Sequence, residues 1–280
     1  MEQLADRVAV VTGGGNGIGR AMAITFAREG MDVVVADILL DAAERVAEEV
    51  RAEGRRSLAV GVDVGDRKSV EQLAGQAYAE FRATHVLCNN AGIVGNTPLT
   101  EYEDDNWRWM VRVNLWGVVY GLQTFLPRML AQEDDCHIVN TASVAGLYTG
   151  GGRSGAYTGT KYAVVGMSES LYHELEHTRI GVSVLCPTTT RTDIFHNTAV
   201  NRPVEFGGPR RSRGTIAELE ASGQAWTGLM DPFFLAQPVV RSIREKRLYI
   251  VGDGNEVREG VNERFQKILA DVELAASDDP

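Results

Sequence analysis

The chain has 280 residues, near the upper end of what one hydrophobic core supports, so a single α/β domain is the expectation. Hydrophobic residues at 44% and charged residues at 24% are ordinary for a water-soluble globular protein. A formal net charge of -10 argues against a general nucleic-acid binder, which carries a basic footprint. Residues 1–7, MEQLADR, lack the basic start and apolar stretch of a signal peptide, and no apolar run is long enough to span a bilayer. Cys88, Cys136 and Cys186 lie far apart, as buried reduced thiols do and as a disulfide framework or zinc cluster does not. The expectation is a cytoplasmic protein with no membrane contact.

VAVVT (8–12) predicts the first strand, followed at once by a glycine-rich turn and a helical pattern, GGGNGIGRAMAITFAREG. Gly13, Gly17 and Gly19 leave room for backbone amides at the helix start to approach a pyrophosphate, aided by the helix dipole. DVVVAD (32–37) is the second strand. It ends on Asp37, about 20 residues after Gly17, where a carboxylate reaches an adenosine ribose; the plainer reading is a tight turn and a helix-capping Asp. In LLDAAERVAEEVRAEG, Leu40, Ala43, Val46, Ala47 and Val50 form one apolar stripe, and Gly54 supplies the stop.

Further strands are predicted at LAVGVDV (58–64), HVLCNN (85–90), HIVNTAS (137–143), VSVLCP (182–187) and LYIVG (248–252), with helical stretches at WRWMVRVNLWGVVYGLQTFLPRML and KYAVVGMSESLYHELEHT. Near-continuous apolar runs read as strands buried on both faces. Alternating with helices, they predict an α/β fold: a Rossmann-like, doubly wound sheet of about seven parallel strands with helices on both faces. Between Thr192 and Tyr249 the rhythm breaks. NRPVEFGGPRRSRG (201–214) suggests a substrate lid at about 190–228, mobile without ligand, or else a variable surface insertion. A C-terminal extension covers about 253–280, and its last residues, LAASDDP, are expected to fray.

AYTGTKYAVVG (156–166) sets Tyr157 four positions before Lys161 amid small and apolar residues. At that spacing both side chains leave one face of a helix. An ammonium beside a phenol lowers the phenol's pKa from its usual value near 10, which suits a general acid/base. A surface Tyr–Lys pair is the alternative.

Taken with the glycine loop, the chain resembles the short-chain dehydrogenase/reductase family over nearly its whole length. TGGGNGIG (12–19) matches that family's T-G-x-x-x-G-x-G loop, NNAG (89–92) its N-N-A-G segment, and YTGTK (157–161) its Y-x-x-x-K. The resemblance implies a catalytic set of Asn114, Ser143, Tyr157 and Lys161. Tyr157 would exchange a proton with the alcohol or ketone, and Lys161 would tune Tyr157 and hold the nicotinamide ribose. Ser143 would steady the substrate oxygen, and Asn114 would interrupt its helix and hold a relay water. It also implies an adenine contact at Asp63 and a nicotinamide contact at Thr192. The full cofactor set is then Gly13, Asn16, Gly17, Ile18, Gly19, Asp37, Ile38, Asp63, Val64, Asn90, Ala91, Gly92, Tyr157, Lys161, Pro187, Thr190 and Thr192. A homo-oligomer, tetramer or dimer, is implied as well. The family commonly has Pro-Gly after its sixth strand; here Pro187 precedes Thr188, which puts the shape of the pocket in doubt.

The expected cofactor is NAD. Asp37 repels a 2′-phosphate, Ile38 follows it where NADP-dependent relatives carry a basic residue, and Arg20 is carried away by its helix. RLYIVGDGNEVREGVNERFQKIL is similar to the tail of bacterial dehydrogenases acting on benzylic alcohols of lignin-type aryl ethers, which suggests a bulky or aromatic secondary alcohol. Two rival readings stand beside this one. HELEH (173–177) matches the zinc-protease signature H-E-x-x-H, with His173 and His177 on one helical face. A dinucleotide-binding regulator without catalysis would have lost the Tyr or Lys that this chain keeps. Trp107, Trp109, Trp116 and Tyr120 form an aromatic cluster suited to core packing or a subunit contact. Arg202, Arg210, Arg211 and Arg213 read as a solvated loop face.

Overall fold

Each apolar run forms a strand because both of its faces find cover. In β1 (Val8–Thr12), Ala9 and Val11 join one buried cluster and Val10 the other. The same alternation holds for Val33 and Val35 against Val34 and Ala36 in β2 (Asp32–Asp37). In this computed structural model, which describes residues 1–149, 154–224, 227–252 and 254–277, these strands join β3 (Ser57–Gly61), β4 (Val86–Asn89), β5 (Cys136–Thr141), β6 (Ile180–Cys186) and β7 (Tyr249–Val251). The seven form one parallel sheet in the order β3-β2-β1-β4-β5-β6-β7. The order reverses direction beside β1, so a crevice opens between the carboxyl ends of β1 and β4, where such sheets bind ligands.

One face is covered by α1 (Gly17–Arg28), α2 (Leu40–Ala52) and α9 (Pro232–Glu245), the other by α3 (Arg67–Phe81), α5 (Gly117–Ala131) and α6 (Gly155–Glu174). The chain that sequence reading treats as one helix before β5 is broken. α4 (Asp104–Val111) gives way to a π-helical turn over Arg112–Trp116 before α5 begins. After β6 the excursion folds into short helices, α7 (Ile194–Val200) and α8 (Ile216–Ala221), with a 3₁₀ turn at Val204–Phe206 between them. α10 (Gly254–Ser277) closes the described chain, so residues 274–277 of the supposed frayed tail are helical. Asp278, Asp279 and Pro280, like Asp253 of the extension and residues 225 and 226 of the proposed lid, lie outside the described residues.

Three surface expectations change. The four aromatic residues do not form one cluster: Trp107 meets Tyr102, Trp109 is buried beneath Arg202, and only Trp116 and Tyr120 stack together. Arg202 is not solvated but 6% exposed. Its guanidinium donates to Asn106 Oδ1 and to the carbonyl of Phe206, both at 2.5 Å, and lies 5.3 Å over the Trp109 ring. Finally, α6 ends at Glu174, before His177, so the HELEH histidines do not share a helical face. Among the described residues, no group of three His, Cys, Asp or Glu side chains is placed to hold a metal. No described helix is long and apolar enough to cross a membrane.

Candidate active site

The carboxyl ends of β1, β2, β4, β5 and β6 converge on one cleft of about 480 Å³. Its first wall is the glycine loop. Gly13 has φ 62°, in the left-handed region, and a Cβ at Gly19 would stand 2.0 Å from the Gly13 carbonyl oxygen. The loop therefore folds back on itself only with hydrogen at both positions. Asn16 starts α1 by accepting from the Gly17 N–H, and its Nδ2 donates to Asp193 at 2.8 Å, joining the loop to the excursion after β6. Across the crevice the loop is fastened to β4. Thr12 Oγ1 accepts from the N–H groups of Asn90 and Ala91, and Asn90 Nδ2 donates to the Thr12 carbonyl at 3.0 Å.

Asp37 ends β2 with one oxygen accepting from the Gly15 N–H at 2.9 Å and the other from Leu39 at 3.0 Å. Its pKa is raised by burial, which outweighs the lowering effect of the N–H groups of Leu39, Gly15 and Ile38. Arg20 is turned away to α2, where it pairs with Glu49. Asp63, past β3, accepts from the Gly65 N–H and from Arg112.

The cleft lining gathers every expected cofactor-contacting residue together with Ser143, Tyr157 and Lys161. Asn114 stands behind it, 1% exposed. The π-helical turn aims the Asn114 side chain at the backbone after β4: Oδ1 accepts from the Ile93 N–H at 2.8 Å, and Nδ2 donates to the Ile93 carbonyl at 3.0 Å. Lys161 is 4% exposed, donates to the Thr141 carbonyl at 3.0 Å and stands 5.5 Å from the centre of the Tyr157 ring.

The electrostatics depart from expectation at Tyr157. Its pKa is raised, not lowered, because burial outweighs the opposing pull of the nearby Ser143 side chain. Lys161 turns its ammonium to Thr141, and burial brings its own pKa down from 10.5 to about 8. Burial also raises the Cys186 thiol to about 12. Thr188 lines the cleft and is closely backed by Gly252, where a Cβ would lie 3.1 Å from the Thr188 N and Oγ1.

Several lining residues escape sequence reading. α7 turns Ile194, Asn197, Thr198 and Asn201 to the cleft at helical spacing, a pattern that was available within the excursion. Trp109 and Arg112 also line it, and nothing in their local sequence announces this. The other walls include Val94, Val144, Ala145 and Phe195. The lining cations among the described residues are Arg112, paired with Asp63 and Glu205, and the inward Lys161.

A crevice at the switch point of a doubly wound sheet, with a tyrosine, serine and lysine at its floor, defines an oxidoreductase of the dinucleotide-binding class. The sequence model described as short chain dehydrogenase matches residues 7–202, and the chain belongs to that family. It is 32% identical over 281 residues to a C alpha-dehydrogenase of Sphingobium sp. (strain NBRC 103272 / SYK-6), covering 99% of this chain and 90% of that protein. It is 36% identical over 235 residues to a 1-deoxy-11-beta-hydroxypentalenate dehydrogenase of Streptomyces exfoliatus, covering 83% of each. Among solved structures, a short chain dehydrogenase/reductase from Burkholderia phymatum in complex with NAD superposes with a TM-score of 0.83 at 33% identity, covering 98% of this chain and 97% of that one.

Proposed function

We propose that this oxidoreductase interconverts a secondary alcohol and its ketone with NAD(H), using Tyr157 as the general acid/base. The observation that carries the reading is that Tyr157, Ser143 and buried Lys161 line the same cleft as Asp37, with Lys161 Nζ 5.5 Å from the centre of the Tyr157 ring. The residues fit a dinucleotide: the folded glycine loop presents backbone amides for a pyrophosphate, and the Asp37 carboxylate faces the ribose position. Bound nicotinamide supplies the hydride acceptor or donor.

The chain's own groups do the rest. The Tyr157 phenolic oxygen takes the alcohol proton or returns it to the ketone oxygen. The Ser143 hydroxyl donates to that oxygen and steadies negative charge as it develops. Lys161 places a positive charge beside Tyr157, holds the nicotinamide ribose hydroxyls and passes protons outward past Asn114. An ammonium held near pKa 8 stays largely charged at neutral pH. The Asn114 side chain is engaged with Ile93, which fixes the backbone flanking this route.

NAD is favoured over NADP. Asp37 sits without a basic neighbour at Ile38, and Arg20 is committed to Glu49. A 2′-phosphate would meet a carboxylate with no cation to offset it. Apolar walls and the absence of an uncommitted cation among the described lining residues support a neutral, bulky or aromatic substrate. The similarity to the Sphingobium C alpha-dehydrogenase points the same way. We read the region of about 190–228 as the substrate lid and that of about 253–280 as an extension of one 1–280 domain. The half-exposed Trp116–Tyr120 stack suits a homo-oligomer contact, and three buried free thiols suit the reducing cytoplasm. Following NADH absorbance across aryl, steroid, sugar and aliphatic alcohols and their ketones tests the proposal. Turnover of aryl or other bulky neutral alcohols is expected, and turnover confined to sugars or short aliphatic alcohols refutes the substrate class.

A further inference from the structure

We propose that Arg112 is a positioning residue that couples the adenosine corner of the cleft to the flap at 201–208. The inference rests on the dinucleotide reading, with adenine at Asp63. Arg112 belongs to the π-helical turn, and its side chain touches two separate stretches of chain, the loop at 63–65 and the turn at 205–206. Nη2 donates to Asp63 Oδ2 at 2.8 Å and Nε to the Gly65 carbonyl at 3.2 Å. Nη1 pairs with Glu205, and the guanidinium lies 5.5 Å over the ring of Phe206. A Cβ on Gly65 would collide with the Arg112 chain at 2.5 Å, so the loop past β3 is shaped around this arginine. The guanidinium is planar with its donors in a fixed fork, so fixing one partner fixes the direction of the others.

The flap at the far end of this bridge depends on few other contacts. Phe206 and Gly208 donate to the Pro203 carbonyl and Gly207 to that of Val204, which makes one short turn. Arg202 fastens the turn to α4 through Asn106 and Trp109. Asn201 and Pro203 line the cleft, so the ordering of this turn shapes the space a substrate enters. Asp63 holds Gly65 with one carboxylate oxygen and Arg112 with the other, leaving acceptor capacity on both. A ligand donating to that carboxylate narrows the motion of Asp63, hence of Arg112, hence of Glu205 and the turn. Binding in one corner then lowers the ordering cost of closure in another.

The test uses ADP-ribose, which carries the adenosine and pyrophosphate but no nicotinamide. Hydrogen exchange at the amides of Phe206, Gly207 and Gly208 is followed with and without saturating ADP-ribose, and saturation is established by calorimetry. In the wild-type protein exchange should slow at least about fivefold, the low end of an ordinary coupling. In Glu205→Gln, and separately in Arg112→Lys, which keeps the charge but not the fork, the slowing should be largely lost at saturation. Equal slowing in wild type and both variants, or binding without slowing in wild type, overturns the coupling alone. Calorimetry showing no ADP-ribose binding to the wild type overturns the dinucleotide reading and the coupling together.

Discussion

Replacing Lys161 with methionine separates the cost of a buried ammonium from its use. Lys161 is 4% exposed, its Nζ donates to the Thr141 carbonyl, and burial lowers its pKa from 10.5 to about 8. At about 1.36 kcal/mol per pKa unit, carrying that charge in the folded state forfeits about 3 kcal/mol of stability at pH 7. The native lysine releases its proton near pH 8 and the unfolded one only near 10.5, so between those values the unfolded chain holds more protons. Wild-type stability from this group therefore rises with pH across that window. Lys161→Met lacks the rise. Urea unfolding at pH 7 and pH 10, on both proteins without cofactor, should show the variant's advantage over wild type shrinking by about 2.5 kcal/mol. Comparing the change with pH cancels packing differences, which are the same at both values. A difference between the proteins that stays flat, or grows, from pH 7 to pH 10 refutes the argument. The variant's turnover should be lost at every pH.

Tyr157→Phe removes only the hydroxyl, so turnover should fall by at least about a hundredfold while NADH binding, read by fluorescence titration, stays close to wild type. Retained turnover would assign the proton to another group. Asp37→Ser should bring the kcat/KM ratio for NAD over NADP toward unity, and a wild-type preference for NADP would contradict the role given to Asp37. Gly19→Ala sets a methyl 2.0 Å from the Gly13 carbonyl oxygen, which is backbone and has no room to retreat. Cofactor binding should be abolished and the melting temperature lowered, as calorimetry would show.

The sheet was legible because its strands are buried on both faces: uninterrupted runs such as DVVVAD carry that signature with no help from tertiary contacts. The glycine loop and the Asp37 carboxylate that line the cleft were legible because backbone geometry imposes them, a loop that must touch itself and a carboxylate at a strand end. Other features depend on distant parts of the chain. Arg202 reads as a loop arginine until Trp109 and Asn106, about a hundred residues earlier, are seen beneath it. The rise in the Tyr157 pKa depends on what encloses the phenol, while the four-residue spacing reports only that Lys161 is close. The break between α4 and α5 has no proline or glycine at its centre, so composition gave no warning of it.

That break limits where the chain tolerates a change in length. An α-helix turns about 100° per residue, and a π turn accommodates one residue beyond that regular count. Trp109 and Met110 face inward before the turn, and Val118, Phe125 and Met129 face inward after it. Losing one residue between 112 and 116 would let the two helices run on as a single regular rod with the inward row still in phase, but the wide turn that aims Asn114 at Ile93 would close. Gaining one there would instead turn the inward row of α5 by about 100°, off α3 and the sheet. The connections that ordinarily absorb insertions and deletions lie on the surface, as at 207–214. Here a count of residues is enforced from within a helix, by the site geometry that the wide turn serves.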